Sequence, residues 1–281
     1  MEIKKILTGL DLGPSSEQII AYAAHIASVT RASLNLLSVV DYIVTPPVYL
    51  EPYLDEEKKS ALEKLESYVE RLSQQDITAV AGVAIGRLQE AFDNAMKKTK
   101  ADLLVLGFAS HILRRSSSEK IIKSLQVPML VVRGEKAEKA QIGSVNIRKI
   151  LCPVDFSERS KEAFMTAVDM MKIFSASLEI ISVVPSYESK KQLKNKDIKA
   201  NMKLIVEETT NKLNELSILK DIERTVLRGN PYEMISSHAK EKDVDLTIMG
   251  ARGLGLLKGM LIGSVTDAVL KSSPCPVMVI H

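Results

Sequence analysis

At 281 residues, 46% of them hydrophobic, the chain is long enough for two domains of about 100–150 residues, each with its own core. Lys and Arg together number 38 against 35 acidic residues, and a formal charge of +3 is too small to make nucleic acid or an anionic membrane surface the expected partner. The two cysteines, Cys152 and Cys275, stand outside any C-x-x-C cluster, and His25, His111, His238 and His281 lack i, i+4 spacing, so redox, zinc and helix-borne metal motifs are excluded.

Taken in chain order, the lysines near the start give way to Asp11 before an apolar run of signal-peptide length develops. No stretch approaches the roughly 18 apolar residues of a membrane span, and a cytosolic setting is expected. An apolar strand over 3–11 leads to a helix over 15–29, a second strand over 33–40 and an irregular stretch over 41–55 containing Pro46-Pro47. Helical periodicity returns over 56–74 and 88–98, and further apolar strands run over 101–107 and 127–132. Residues 134–146, rich in Lys, Glu, Ala, Gln and Ser, read as an exposed linker.

Beyond that linker the pattern begins again. Ile3-Lys4-Lys5-Ile6-Leu7 matches Ile147-Arg148-Lys149-Ile150-Leu151, and Ser33-Leu34-Asn35-Leu36-Leu37 matches Ser177-Leu178-Glu179-Ile180-Ile181. Ala101-Asp102-Leu103 matches Val244-Asp245-Leu246, and Val127-Pro128-Met129 matches Cys275-Pro276-Val277. The predicted organisation is a domain over 1–134, a linker over 135–146 and a domain over 147–281. Each half reads β-α-β-α-β-α-β-α-β. Strands apolar on both faces and separated by helices predict an α/β fold, an open parallel five-stranded sheet with helices on both sides. Ligands in such sheets sit at the carboxyl ends of the strands where strand order reverses, which directs attention to the residues just after each apolar run. Irregular stretches over 41–55 and 185–192 are placed to cover such a site.

After the fourth strand of the second half comes Gly250-Ala251-Arg252-Gly253, then nine residues to Gly263-Ser264-Val265-Thr266 and a helix-like run over 267–271. Glycines let backbone amides approach an anion and accept positive φ, and the amides of a helix start favour phosphate, with the Ser264 and Thr266 hydroxyls as further donors. The spacing is neither the Walker loop nor G-x-G-x-x-G, and a flexible surface loop with a helix cap is the plain alternative.

The glycine-serine spacing resembles the ATP-binding signature of universal stress proteins. The resemblance extends to Pro153-Val154-Asp155-Phe156-Ser157, Val183-Val184, Gly229-Asn230-Pro231 and Pro274-Cys275-Pro276-Val277, and through the repeat to nearly the whole chain. It implies a Rossmann-like fold of the adenine-nucleotide alpha-hydrolase type, with ATP as ligand and Mg or Mn bound mainly through the phosphates. It implies Asp155 on the nucleoside, beside Pro153 and Val154, and Val183 at the adenine edge through its backbone. Met249 and Gly250 would flank the sugar, and Gly253, Gly263, Ser264, Val265 and Thr266 would surround the phosphates, with Arg252 nearby. Asp155 has a purely structural alternative as an acid at the start of a helix capped by Ser157. Lys258 reads as a solvated surface lysine.

In the first half the span from Gly107 to Pro128 is five residues shorter than its counterpart from Gly250 to Pro276. Ser110 stands where Gly253 does, Arg115 aligns with Gly263, and Gly9 replaces Pro153. The phosphate loop is therefore read as degenerate, with nucleotide in the second domain only, although Arg114, Arg115 and the following serines retain some capacity for an anion. The leading expectation is a regulatory ATP-binding module. A slow ATPase or autokinase acting on Ser264 or Thr266 is the enzymatic alternative, and a first domain that serves as scaffold or holds another ligand is the third. The resemblance also implies that the last strands of the two domains pair into an intrachain pseudo-dimer, with further homodimerisation open.

Overall fold

The computed structural model describes residues 1–41, 51–108, 117–184, 196–215, 222–253 and 261–281. It divides the chain into two compact units, Met1–Asn146 and Ile147–His281. The first contains β1 (Lys5–Leu10), α1 (Ser16–Thr30), β2 (Ser33–Val40), α2 (Glu51–Ser73), β3 (Ala79–Ile85), α3 (Leu88–Thr99), β4 (Leu103–Gly107), α4 (Ser117–Ile122) and β5 (Met129–Val132). The second contains β6 (Lys149–Pro153), α5 (Glu158–Phe174), β7 (Ser177–Val184), α6 (Lys196–Glu215), β8 (Glu223–Arg228), α7 (Pro231–Glu241), β9 (Leu246–Gly250), α8 (Ser264–Ser272) and β10 (Val277–Ile280). Strand order within the first unit is β3-β2-β1-β4-β5, and within the second β8-β7-β6-β9-β10. Every described pair within these sheets is parallel. The expected α/β fold is present in both halves, and strand order reverses beside β1 and β6.

The two matched aspartates explain how the first and fourth strands of each half start in register. Asp102 Oδ2 accepts the amides of Lys4 and Lys5 at 2.8 and 2.9 Å, and Asp245 Oδ2 accepts those of Arg148 and Lys149 at 2.9 and 3.0 Å. Each carboxylate satisfies two backbone donors ahead of the strand ladder. The central strands are then sealed by apolar side chains on both faces: Leu7, Leu34, Leu104 and Val105 in the first unit, and Ile150, Ile180, Leu246 and Ile248 in the second, are at most 1% exposed. At about 25 cal/mol per Å2 of apolar surface removed from water, each contributes on the order of 2 kcal/mol. Cys152 and Cys275 lie in this interior, fully buried, as expected for small hydrophobes.

Helix ends depart from the sequence reading by up to five residues. Helices α1, α3 and α5 end in left-handed residues that are not glycine: Arg31, Lys100 and Ser175, with φ of 59°, 52° and 53°. The usual glycine stop signal is absent. Helix α2 begins at Glu51, inside the stretch expected to be irregular, and α8 spans Ser264–Ser272 rather than the shorter run over 267–271. Residues 134–146 also differ from an exposed linker. Ala137 and Ala140 are buried and the Glu138 carbonyl accepts Gln18 Nε2 at 3.3 Å, so this segment folds against the first unit.

Under α7 the second unit buries a polar triad that the sequence did not announce. Glu179 of β7, 2% exposed, accepts Thr225 Oγ1 of β8 at 2.8 Å and lies 2.8 Å from His238 Nε2 of α7. Its other oxygen, Oε2, has no hydrogen-bond partner.

Candidate functional site

The site assembles at the carboxyl ends of β6 and β9. The Val154 amide donates to the Ile181 carbonyl at 2.8 Å, carrying the β6–β7 ladder one residue past the strand. Phe156 then turns with φ 66°, a left-handed conformation that costs a bulky residue about 1 kcal/mol or more and is held by its neighbours. Asp155 Oδ1 accepts both the Ser157 amide at 3.1 Å and the Ser157 hydroxyl at 2.6 Å, while Ser157 Oγ accepts the Ser160 amide as the cap of α5. The structural alternative for Asp155 is thus real: this carboxylate shapes the helix entry. Both oxygens nonetheless border the site, because a Cβ on Gly253 would collide with Oδ2.

The start of α8 forms the opposite wall. Its N-cap, Gly263, provides no side chain, and the first helical bond runs from the Asp267 amide to the Gly263 carbonyl at 2.9 Å. The amides of Ser264, Val265 and Thr266 therefore have no partner within the helix. The Gly263 amide donates to the Ala251 carbonyl at 2.7 Å and Arg252 Nε to the Leu261 carbonyl at 3.2 Å, closing the base of the loop. The loop's middle, 254–260, including Lys258, lies outside the described residues.

Two expectations need correction. Thr266 Oγ1 donates to the Gly250 carbonyl at 2.9 Å and Thr266 is only 3% exposed, so its hydroxyl proton braces the loop against β9 and is not a spare donor. The signature glycines also serve a different purpose: none of Gly250, Gly253 and Gly263 has positive φ. What excludes a side chain is close approach. At Gly250 a Cβ would lie 2.9 Å from the Arg159 carbonyl, and at Gly253 it would strike Asp155, whereas at Gly263 the nearest atom is a comfortable 3.4 Å away.

Between these walls lies a cavity of about 410 Å3, within the range of small-molecule and cofactor sites. It is lined by all twelve candidate residues: Pro153, Val154, Asp155, Val183, Met249, Gly250, Arg252, Gly253, Gly263, Ser264, Val265 and Thr266. Ser160, Ile181, Pro231 and Ile235 complete it. Ile181 was within reach of the sequence, since it shares a strand face with Val183. Ile235 was not, because only the packing of α7 brings it there. Near the loop base, burial pushes the imidazole of His281 down to about 4, with the charges of Arg159 and Arg252 acting in the same direction. No cluster of three or more metal-ligating side chains exists among the described residues.

In the first unit the turn survives but the cavity wall changes. Asp11 Oδ1 accepts the Gly13 amide at 2.9 Å and Leu12 has φ 57°, the same geometry as Asp155–Ser157. The positions matching Pro153 and Ile235 hold Gly9 and Phe92, and the aromatic ring lies so close over Gly9 that a Cβ there would be 2.5 Å from Cζ. Phe92 is 3% exposed. The connection expected to be a degenerate phosphate loop, residues 109–116 with Ser110, Arg114, Arg115 and Ser116, lies outside the described residues, as do Pro46-Pro47 and 185–192.

Comparison with known proteins is consistent along the whole chain. The sequence model of the universal stress protein family matches residues 2–133 and again 146–281. The universal stress protein YxiE of Bacillus subtilis (strain 168) is 31% identical over 152 residues, 47% of this chain and 98% of its own length. Among solved structures, a universal stress protein from Archaeoglobus fulgidus is similar with a TM-score of 0.72 at 21% identity, covering 99% of this chain and 96% of that one. A second, from Pseudomonas aeruginosa UCBPP-PA14, has a TM-score of 0.66 at 19% identity over 99% and 93%.

Proposed function

Since the chain belongs to the universal stress protein family, with one member domain in each half, we propose that it is a regulatory module that binds ATP in its second domain only. The observation that carries this reading is the 410 Å3 cavity in which three uncapped helix amides, Arg252 and Asp155 converge. Uncapped amides and the positive end of α8 suit phosphate oxygens, and the apolar wall of Val154, Ile181, Val183, Met249 and Ile235 suits a base. On this reading Asp155 accepts hydroxyl protons from a ribose while keeping its turn. Mg or Mn would enter with the phosphates and neutralise their charge.

Restriction to the second domain is supported by the packing of Phe92 against Gly9, which closes the wall that Pro153 and Ile235 leave open. The Thr266 hydroxyl, buried and engaged with Gly250, is a poor phosphate acceptor, which leaves the exposed Ser264 as the acceptor of the autokinase alternative. A cytosolic setting belongs to the same reading; among the described residues no helix is long and apolar enough to cross a membrane.

The test is the nucleotide content of the purified chain, released by denaturation and chromatographed, followed by titration with ATP and magnesium. One adenine nucleotide per chain is expected, along with a thermal shift that disappears in Gly253→Val. Two nucleotides per chain would contradict the single-site assignment, and none after titration would refute ATP binding.

A further inference from the structure

Strand β3 ends the sheet of the first unit, and its sequence, Ala-Val-Ala-Gly-Val-Ala-Ile, carries no charge. Among the described residues it pairs only with β2, so one row of its backbone amides and carbonyls has no strand beside it. Val80 is 56% exposed and Ile85 37%. An open, uncharged edge of this kind is a template for another strand, and proteins ordinarily guard it with charge, proline or a bulge. The same chain shows that guard in its other half: β8, at the matching edge, reads Glu-Arg-Thr-Val-Leu-Arg.

On the α3 side, Val80, Gly82 and Ala84 floor a groove of about 560 Å3 walled by Ala91 and Ala95, with Arg87, Glu90 and Lys98 also in its lining. By register, Asn35, Gly82 and Ala95 occupy the positions of Glu179, Thr225 and His238, the triad that fills this space in the second unit. On the other side, Arg71 of α2 turns toward α1 through its pair with Glu17. Helical geometry therefore sets Leu62 and Val69, both half-buried, on the opposite flank, next to the free edge of β3. That flank also carries Lys58 and Glu66, one on each side of Leu62.

We propose that the β3 edge is a docking surface for a second copy of this chain, joined strand to strand and antiparallel about a two-fold axis at Gly82. The edge is self-complementary in that arrangement. Gly82 meets Gly82, Val80 meets Ala84, and no charge is buried. On α2 the opposite signs of Lys58 and Glu66 let an antiparallel copy set base against acid. A stable dimer needs about 800 Å2 from each partner, more than seven strand residues supply, so the α2 flank must share the contact and the dimer is expected to be concentration-dependent.

The inference is independent of nucleotide and is tested on the full chain by sedimentation velocity over a range of concentrations. Reversible dimerisation is expected in the wild type and its loss in Val80→Lys and, separately, in Ile85→Lys, with melting temperatures near that of the wild type. Gly82 accepts a side chain without strain, its nearest neighbour being the Leu36 carbonyl at 3.9 Å from a Cβ. Since Cys152 and Cys275 are buried, Gly82→Cys offers one accessible thiol, and a short bis-maleimide should convert the dimer to a covalent pair. A chain that stays single at every concentration, or a dimer that persists in both lysine variants, overturns the proposal.

Discussion

At Asp155 one side chain serves both the turn and the cavity, and substitution should separate the two. Asp155→Ala removes the acceptor for the Ser157 amide and hydroxyl, and the expected loss is about 1–2 kcal/mol in urea unfolding without nucleotide. On the proposed reading, the stabilisation by ATP disappears as well. Asp11→Ala should show the first effect and leave the second intact, since its carboxylate makes the same turn beside a wall closed by Phe92. His281 supplies a prediction in pH. Its folded-state value is pushed from the ordinary 6.5 to about 4, so between those values the unfolded chain binds more protons than the folded one. The contribution of a neutral His281 is complete above pH 6.5 and is lost as pH falls toward 4; burial of His25 acts with the same sign. His281→Asn should flatten the dependence of the urea midpoint on pH across that window, and an unchanged slope would contradict the assignment.

Among the elements, α7 is fastened to the sheet by the buried contact between His238 Nε2 and Glu179 Oε1 as well as by apolar contact. His238→Ala leaves Glu179 in the interior with only Thr225 for company, and a loss of about 3–5 kcal/mol is expected by urea denaturation. Replacing Glu179 and His238 together by Leu should recover most of it, because the desolvated charge is removed with its partner. If the double replacement is as damaging as the single one, packing and not charge is the cause. This triad also marks where sequence reading stopped. The strands, the duplicated order of elements and the glycine-serine loop were legible because they are local patterns or repeats. Glu179, His238 and Thr225 are 59 and 46 positions apart in their pairs, and nothing local announces such contacts. The same holds for Phe92 over Gly9. The Thr266 hydroxyl was visible as a residue type, but its engagement with the Gly250 carbonyl depends on how α8 meets β9.

For the whole molecule, two units with separate cores make unfolding a two-part event. A ligand present at a hundred times its dissociation constant stabilises the state that binds it by about 2.7 kcal/mol. Scanning calorimetry with saturating ATP and magnesium is therefore expected to move one transition upward and leave the other where it was. Movement of both would place nucleotide in each half and contradict the reading of Gly9 and Phe92. The domain division could be anticipated from the repeat, whereas the packing of 134–146 onto the first unit could not, because its composition is that of a solvated segment and its anchors, the buried Ala137 and Ala140 and the Glu138 carbonyl on Gln18, are long-range contacts.

The left-handed turns at Leu12 and Phe156, each tied to the aspartate before it, imply something about how this protein would respond to exhaustive mutagenesis. A screen scored on abundance would rank Asp11 and Asp155 as equally intolerant, since each holds the entry to the first helix of its unit. Only a screen scored on ligand occupancy would tell them apart, and the contrast between the two screens at those positions would assign the site without a bound structure.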